Sequence, residues 1–280
     1  LKCGHCITVC PVGALRETHS YPEVQRALAS GKICILQTAP SVRVAVAELF
    51  QKSYGTLCTG KIVAAARAIG FKYVFDVNFG ADMTIMEEGV EFMQRLMGNG
   101  PLPLFTSCCP AWINYVETKH PEIIPNLSTS KSPHMMSGTI IKKYFTQVTG
   151  IKEEDIYLVS LMPCTSKKDE IIREQHKGTV DAVITTNEFY TLVKDLDWDR
   201  LSDSNFDSML SESTGAATIF GVTGGVTEAA LRFCIERMTG TKIGPVAYTE
   251  VRGFDGIKSA SIRVNGREIN IAVINGVGHA

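Results

Sequence analysis

Apolar runs of strand length alternate with segments of helical spacing along most of the chain. Five short runs rich in Val, Ile, Leu and Phe are typical of buried strands, at residues 33–37, 72–77, 102–105, 156–162 and 180–186. The segments between them repeat apolar residues at helical spacing, at residues 43–52, 61–70, 87–97 and 138–148. Alternating strands and helices are typical of parallel sheets covered by helices. We therefore predict an α/β fold.

The two ends of the chain depart from this alternation. Residues 1–30 form a short segment that carries three cysteines. Residues 202–221 are polar and then rich in Gly and Ala, which predicts a long loop. Near the end, Asn265-Gly266 separates two runs of alternating apolar and polar residues, which predicts a two-residue β-hairpin over residues 261–273.

Charge and composition exclude several classes of function. The 280 residues carry 28 Lys and Arg against 29 Asp and Glu, so no net basic charge is available to bind nucleic acid or an anionic membrane. No apolar run approaches the roughly 20 residues that span a bilayer. Nine cysteines in a chain of this length favour metal or redox sites over a disulfide framework, and favour a cytoplasmic location.

The first cysteine motif lies at the N-terminus. Cys3-x2-Cys6-x3-Cys10 followed by Pro11 is the tail of the C-x2-C-x2-C-x3-C-P run that binds 4Fe-4S clusters. The first cysteine of that run is expected in the position before Leu1. Because the last cysteine of the run binds the other cluster in two-cluster ferredoxins, we expect Cys3 and Cys6 to bind one cluster and Cys10 its neighbour.

Two adjacent cysteines, Cys108 and Cys109, precede Pro110. Adjacent side chains leave the backbone in different directions, so one thiol can bind a metal while the other faces a second group. The alternative is a pair of buried cysteines that pack as small hydrophobic residues. Because the predicted strand 102–105 runs directly into the doublet, we expect the doublet at the carboxyl end of a sheet strand, where open α/β folds bind ligands.

A single cysteine repeats this arrangement after the predicted strand 156–162. Pro163 and Cys164 follow the strand, and Lys167 lies three residues beyond the thiol, where its cation can serve an anionic ligand. A lone cysteine is more often part of a core. Together with the doublet, it suggests two cysteine-bearing strand ends that face each other across a metal site between two lobes.

Three charged residues, Glu88, Glu91 and Arg95, are spaced to share one face of the predicted helix 87–97. A solvated charged face is the interpretation that this spacing favours on its own. The alternative is a buried series of titratable groups that passes protons.

These motifs together resemble those of the iron-only (FeFe) hydrogenases. Residues 106–110, Thr-Ser-Cys-Cys-Pro, are similar to the first signature of that family, and residues 162–168, Met-Pro-Cys-Thr-Ser-Lys-Lys, are similar to its second. Further similar stretches lie at residues 39–43, 75–88, 130–134, 181–186, 219–232 and 251–258. The resemblance covers essentially the whole chain.

The resemblance implies a domain organisation and a cofactor. Residues 1–30 would be the remnant of a ferredoxin-like 4Fe-4S domain, and residues 31–280 an H-cluster domain with lobes at about 31–150 and 151–280. The fold class is α/β, with twisted, mostly parallel sheets flanked by helices. The H-cluster of this family is a 4Fe-4S cube joined through a cysteine to a two-iron unit that carries carbon monoxide, cyanide and an azadithiolate bridge.

The resemblance also implies which residues bind the cofactors. The cube ligands would be Cys109 and Cys164, and the ligands of additional 4Fe-4S clusters would be Cys3, Cys6 and Cys10. Residues implied to contact the two-iron unit are Lys167, Pro40, Ser41, Met162, Pro133 and His134. Lys167 and the Pro40–Ser41 turn would hold cyanide. His134 stands where many members carry glutamine, and it is a candidate to tune a hydrogen bond to a carbonyl or cyanide.

Cys108 would not be a ligand in this family but the thiol that exchanges protons with the bridging amine. From it the proton path of the family runs through Glu88, Ser128, Glu91 and Arg95, all of which are present. The resemblance therefore favours the proton path over the solvated face.

The implied function is the reversible reduction of protons to molecular hydrogen. Electrons would come through the 4Fe-4S clusters from ferredoxin or another redox carrier, and hydrogenase maturation proteins would supply the H-cluster. No nucleic acid or membrane partner is expected. The two-iron unit is unstable to oxygen, so an anaerobic host is expected.

Three other interpretations stay open: a sensory or regulatory hydrogenase-like protein, a hydrogenase-related iron–sulfur assembly factor and a plain ferredoxin-type carrier. Cys108 speaks against the assembly factor, and the complete proton path favours turnover. A plain carrier leaves the doublet and Cys164 without a role. The third signature of the family, with the remaining cube ligands, is expected beyond Ala280, so residues 1–280 alone are expected to be inactive.

Overall fold

Four parallel strands form the main sheet of the protein. The structure is a computed structural model that describes residues 1–208, 213–251 and 255–279. The strands are β1 (Ile33–Thr38), β2 (Tyr73–Asp76), β3 (Ile156–Met162) and β4 (Ala182–Thr185), in the spatial order β2-β1-β3-β4. They are buried on both faces, which is why they read as continuous apolar runs rather than alternating ones.

Helices connect and cover these strands. The described α-helices are α1 (His5–Thr8), α2 (Tyr21–Ala29), α3 (Val42–Leu49), α4 (Thr59–Ala68), α5 (Asn78–Leu96), α6 (Pro110–Lys119), α7 (Pro133–Ile140), α8 (Thr146–Thr149), α9 (Ser166–Glu170), α10 (Thr186–Val193), α11 (Gly215–Thr218) and α12 (Gly225–Thr239). A π-helical segment, Ile141–Phe145, joins α7 to α8. Within the described ranges, none of the helices is both long and apolar enough to cross a membrane.

The chain divides into two compact units. One, here called the sheet unit, contains residues 1–81 and 132–213, and the other, the hairpin unit, contains residues 82–131 and 214–280. Both units draw on residues before and after position 150, so they divide the chain differently from the predicted lobes. The boundaries of the predicted lobes and of the segment 1–30 stay predictions.

The core of the sheet unit surrounds its central strands. Ile35 and Leu36 of β1 and Leu158 of β3 are completely buried, and Phe75 of β2 and Phe189 of α10 are 1% and 0% exposed. Burying one such side chain stabilises the fold by about 1.5–3 kcal/mol. The apolar runs therefore both define the strands and supply the packing that holds the helices against them.

The hairpin unit contains a three-stranded antiparallel sheet of β5 (Thr249–Glu250), β6 (Ile257–Val264) and β7 (Arg267–Ile274). Asn265 and Gly266 both have positive φ, at 48° and 79°, as a tight hairpin turn requires. The predicted hairpin is confirmed. Apolar residues of α12 and of the hairpin form the core of this unit, namely Leu231, Ile235, Val264, Ile269 and Ile271.

Three local predictions differ from the structure. The predicted strand 102–105 is wrong: of its residues only Phe105 pairs, in a single bridge to Leu127. Pro101 and Pro103 donate no backbone hydrogen bond, so this apolar run cannot form a ladder. The predicted helix 87–97 begins earlier, at Asn78. In the predicted loop 202–221, residues 209–212 lie outside the described residues, and α11 forms within its last part.

We expect Gly80→Ala to destabilise the protein. A Cβ atom at Gly80 of α5 would lie 2.1 Å from the carbonyl oxygen of Pro133 and 2.9 Å from the backbone nitrogen of Ser137, so α7 would have to move. Overpacking of this kind costs about 1–3 kcal/mol of unfolding free energy, which denaturant titration measures. Gly215→Ala is the matched control, because no atom of the residues that the structure describes lies within 4 Å of its added Cβ. Equal unfolding free energies for both variants would contradict the close approach.

Candidate functional site

The cysteine doublet lies at the start of α6 in the hairpin unit. Cys109 is the N-cap of this helix, in an extended conformation, and Pro110 is its first residue. Cys109 is exposed, Cys108 is half-buried, and neither forms a disulfide. The alternative of a buried pair packed as small hydrophobic residues is therefore wrong. An exposed thiol is a suitable ligand for a soft metal.

The segment before the doublet is held by residues 126–130 rather than by a sheet. The Phe105 amide donates to the Asn126 carbonyl at 2.9 Å, and the Ser128 amide donates to the Phe105 carbonyl at 2.8 Å. The Ser107 hydroxyl donates to the Ser130 carbonyl at 3.1 Å. The expectation that the doublet follows a sheet strand is thus wrong. This pairing instead brings the doublet close in the fold to Ser128, another predicted site residue.

The charged face of α5 is buried. Glu88 is 2% exposed and Arg95 is 6% exposed, so the interpretation as a solvated face is wrong for both. Buried ionisable groups need hydrogen-bond partners or a shifted pKa, and the three residues of this face differ in which of these they have.

Glu91 is fully paired. Its Oε1 accepts from Arg95 Nη2 at 2.6 Å, and its Oε2 accepts from the Ser128 hydroxyl at 3.0 Å and the Thr129 amide at 2.9 Å. Burial alone raises the pKa of this carboxyl, but the hydrogen bonds from Thr129, Arg95 and Ser128 outweigh burial and lower it. Glu91 is therefore ionised at neutral pH.

Glu88, one helical turn away, is in the opposite condition. Among the described residues, neither of its carboxyl oxygens has a partner in hydrogen-bonding geometry. Burial raises the pKa of Glu88 to about 7; nearby groups of Ser128 and Ser107 lower it, and the charge of Glu91 raises it further. A carboxyl with this pKa can take up and release protons near neutral pH, and it lies beside the residue that precedes Cys108.

Arg95 is the last residue of the predicted proton path. Its guanidinium donates to four backbone carbonyls as well as to Glu91, those of Pro101, Pro125, Asn126 and Leu127, at 2.8–3.2 Å. The structure thus brings together four residues of the predicted proton path: Glu88, Glu91, Ser128 and Arg95. Their role in moving protons stays a prediction.

In the sheet unit, the predicted cofactor residues gather at the carboxyl ends of β1 and β3. Pro40 and Ser41 follow β1, with Ser41 as the N-cap of α3, while Met162 ends β3 and the half-buried Cys164 follows it. The Ala39 amide donates to the Leu161 carbonyl at 3.0 Å, which holds the two strand ends together. This is the edge at which open α/β sheets bind ligands.

Pro133 and His134 reach the same edge through α7, which Pro133 begins. Gln37 of β1 donates from Nε2 to the His134 carbonyl at 2.9 Å. Both ring nitrogens of His134 are occupied, Nδ1 by the Ser160 hydroxyl at 3.1 Å and Nε2 by Glu170 Oε2 at 2.8 Å. In this arrangement His134 has no ring nitrogen left for a carbonyl or cyanide ligand, which differs from its expected role.

The N-terminal cysteine motif contacts the start of α9. The Ser166 hydroxyl donates to the Lys2 carbonyl at 3.0 Å, Lys2 pairs with Asp169, and Gly4 lies directly against Thr165. Cys3 and Cys6 are exposed and Cys10 is half-buried. In the described part of the chain, no three His, Cys, Asp or Glu side chains come together as a metal site, so cluster binding by these cysteines stays a prediction.

Sequence reasoning missed three residues of this edge: Gln37, Ser160 and Glu170. Gln37 and Ser160 are polar residues inside apolar strand runs and are completely buried, and they are register partners in the β1–β3 pairing. Glu170 lies three residues after Lys167, a spacing at which side chains of one helix meet. These two signals, a polar residue in a buried strand and an i,i+3 charge pair, are visible in the sequence.

The chain is similar in sequence to known hydrogenases and, more distantly, to an iron–sulfur assembly protein. At 47% identity, the chain is similar over its whole length to the NADP-reducing hydrogenase subunit HndD of Solidesulfovibrio fructosivorans, of which it covers 50%. It is 45% identical over 91% of its length to the periplasmic Fe hydrogenase large subunit of Nitratidesulfovibrio vulgaris, of which it covers 63%. The chain thus spans between half and two thirds of these relatives. The cytosolic iron–sulfur assembly component 3 of Bos taurus is more distant, at 28% identity.

Solved structures agree with the fold. An FeFe-hydrogenase structure that concerns the oxygen-induced degradation of the 2Fe subcluster of its H cluster superposes with a TM-score of 0.83, at 34% identity, over 93% of this chain and 77% of the other. Residues 32–280 match the family described as iron only hydrogenase large subunit, C-terminal domain. The chain has the parallel α/β sheet of these structures, and Cys164 and Lys167 follow the carboxyl end of one of its strands. The matches in sequence and structure show that the chain belongs to the family of iron-only hydrogenase large subunits.

Proposed function

We propose that, in the full-length protein, this domain catalyses the reversible reduction of protons to molecular hydrogen at an H-cluster. Membership of the hydrogenase family supports the reaction class. The observation that supports the proposal is Glu88, which is 2% exposed, lies near the cysteine doublet and has a pKa raised to about 7, as a proton carrier requires. Hydrogen production and uptake both need protons to be carried between the cofactor and solvent.

The residues present fit the cofactor by their donor chemistry. Iron–sulfur cubes take cysteine thiolates, and Cys109 and Cys164 are thiols that reach the surface of their units. Lys167 would supply the cation for an anionic cyanide ligand, and Pro40 and Ser41 lie at the carboxyl edge of the sheet. Met162 and Pro133 would be the apolar neighbours of the two-iron unit. When bound, the H-cluster would supply the metal site at which two protons and two electrons combine.

The protein residues would hold and move the protons. Cys108 would carry the proton next to the cofactor, because a thiol with an ordinary pKa near ~8.5 can exchange protons close to neutrality. Glu88 would exchange protons with Cys108, and the ionised Glu91, with Ser128, would receive them from or pass them to Glu88. Arg95 would keep Glu91 charged and in place at the solvent side of this path.

Electrons would arrive through the N-terminal cysteine motif. We propose additional 4Fe-4S clusters at Cys3 and Cys6 and at Cys10, fed by ferredoxin or another redox carrier. The contacts of Lys2 and Gly4 with the residues that follow Cys164 support a short path from this motif to the cube. Maturation proteins would supply the H-cluster. A cytoplasmic location is part of the proposal, although a similar relative is named periplasmic.

The alternatives have less support. An assembly factor role rests on relatives of 28% identity, well below the 47% of the hydrogenase subunit. A regulatory role has no specific feature in its favour, because the proton path residues Glu88, Glu91, Ser128 and Arg95 are all present and in contact or adjacent turns.

In the full-length, maturated protein, Cys108→Ala is expected to abolish most hydrogen turnover and to leave the infrared bands of the carbonyl and cyanide ligands in place. The reason is that alanine removes a proton carrier without removing a metal ligand. Cys109→Ala is the matched neighbour and is expected to lose the bands with the activity. If Cys108→Ala loses the bands as well, Cys108 is a ligand and the division of roles is wrong.

The raised pKa of Glu88 predicts a pH-dependent stability. Between pH 4.5 and about 7 the unfolded carboxyl loses its proton while the folded one keeps it, so the free energy of unfolding falls as pH rises through this range. Glu88→Gln removes this pH dependence, because glutamine does not titrate. The free energy of unfolding of the variant is therefore expected to equal that of the wild type at acid pH and to exceed it at neutral pH by up to roughly 3 kcal/mol.

Denaturant titrations at several pH values, on protein without cofactor, measure this difference. Glu87→Gln is the control, because Glu87 lies on the same helix but is exposed. If the difference in unfolding free energy between wild type and Glu88→Gln stays constant from acid to neutral pH, Glu88 titrates as an ordinary carboxyl. That result would remove Glu88 from the proposed proton path.

A further inference from the structure

A line of buried polar side chains crosses the sheet unit beneath the strand edge. Gln37 and Ser160 are completely buried, His134 is 1% exposed and Glu170 is 5% exposed. Gln37 Nε2 lies 2.6 Å from the Ser160 hydroxyl, which lies 3.1 Å from His134 Nδ1. His134 Nε2 lies 2.8 Å from Glu170 Oε2, and the same oxygen lies 2.7 Å from the Lys167 ammonium.

The donors along this line can be assigned from its two ends. The His134 carbonyl can only accept, so the Gln37 atom that lies 2.9 Å from it is the amide nitrogen, which also donates to the Ser160 oxygen. At the other end the Glu170 carboxylate can only accept, so His134 carries a hydrogen on Nε2 and donates it to Glu170. A neutral imidazole then accepts at Nδ1 from the Ser160 hydroxyl.

The charges agree with this assignment. Burial and the nearby Lys167 lower the pKa of His134 more than Glu170 raises it, so the imidazole is neutral. Burial alone raises the pKa of Glu170, but the electrostatic effect of His134 and its hydrogen bond, together with the charge and hydrogen bond of Lys167, outweigh burial and lower this pKa strongly. The one cation of the line is thus Lys167, held by a carboxylate that cannot turn away without breaking the bond to His134.

We propose that His134 is a positioning residue: through Glu170 it holds the Lys167 ammonium where this cation meets an anionic ligand of the cofactor. Lysine is a flexible point charge, and fixing its head group requires a partner that is itself fixed. Gln37 and Ser160 on two paired strands supply the rigid end of the line. The inference rests on the proposed function, in which that ligand is a cyanide of the H-cluster.

Two measurements test the proposal. In the maturated full-length protein, infrared spectroscopy resolves the cyanide bands from the carbonyl bands. His134→Leu removes both side-chain hydrogen bonds and is expected to shift the cyanide bands more than the carbonyl bands. His134→Gln is expected to keep them near their wild-type positions, because its amide can accept from Ser160 and donate to Glu170. Ser137→Ala, a buried change in α7 outside the line, is the matched control with unshifted bands.

In the protein without cofactor, nitrogen NMR of the imidazoles reports the tautomer of His134 and does not depend on metal loading. A hydrogen on Nε2 in the wild type and also in Ser160→Ala, where Glu170 still accepts it, is the expected result, and a hydrogen on Nδ1 would overturn the assignment. Cyanide bands of His134→Leu at wild-type positions would also overturn the proposal. Absence of any cyanide band from the wild type would instead overturn the proposed function, while the tautomer result would still stand.

Discussion

The cost of burying a carboxylate is the constraint on which both parts of the site depend. An ionised carboxyl inside a protein must receive hydrogen bonds that replace its lost water, or it stays protonated. Glu91 and Glu170 each receive two or more charged or polar donors, and the pKa of each is lowered. From the described residues Glu88 receives none in good geometry, and its pKa rises to about 7. The same helix, α5, therefore carries one carboxyl whose pKa is lowered and one whose pKa is raised.

Fully paired groups also organise the backbone around them. Arg95 donates to the carbonyls of Pro101 and of residues 125–127, which ties two loops of the hairpin unit to α5. Glu170 does the same for side chains of the sheet unit, since His134 and Lys167 meet at one of its oxygens. Removing one partner of such a buried pair leaves an uncompensated charge, which costs more than the pair contributes. Rigidity around the site is thus a consequence of satisfying buried charge.

The local pattern of apolar and polar residues predicted most strands and helices, but it could not predict which side chains of different elements contact each other. Continuous apolar runs indicated the parallel strands β1, β3 and β4, and Asn-Gly indicated the hairpin, because burial on both faces and positive φ leave direct traces in sequence. The run at 102–105 has the same apolar pattern, but Pro103 within it has no amide hydrogen to donate, and only Phe105 pairs. Gln37 contacts a residue 123 positions away and His134 one 36 positions away. Such contacts are set by how the elements pack, so the sequence alone presented His134 as a cofactor contact rather than as a partner of Glu170.

The residues of the proposed proton path and most of the proposed cluster ligands belong to different units of the chain. Every residue of the proposed proton path, from Cys108 to Arg95, belongs to the hairpin unit, whereas the proposed cluster motif at Cys3 and the cube ligand Cys164 belong to the sheet unit. Proton transfer and cluster binding are thus proposed largely for different units. Cys109 is the exception: it is a proposed metal ligand in the hairpin unit, and as the N-cap of α6 it directly follows Cys108, the proposed proton carrier. Because the side chains of adjacent residues diverge, Cys108 and Cys109 can face different groups, as their proposed roles in proton transfer and metal binding require.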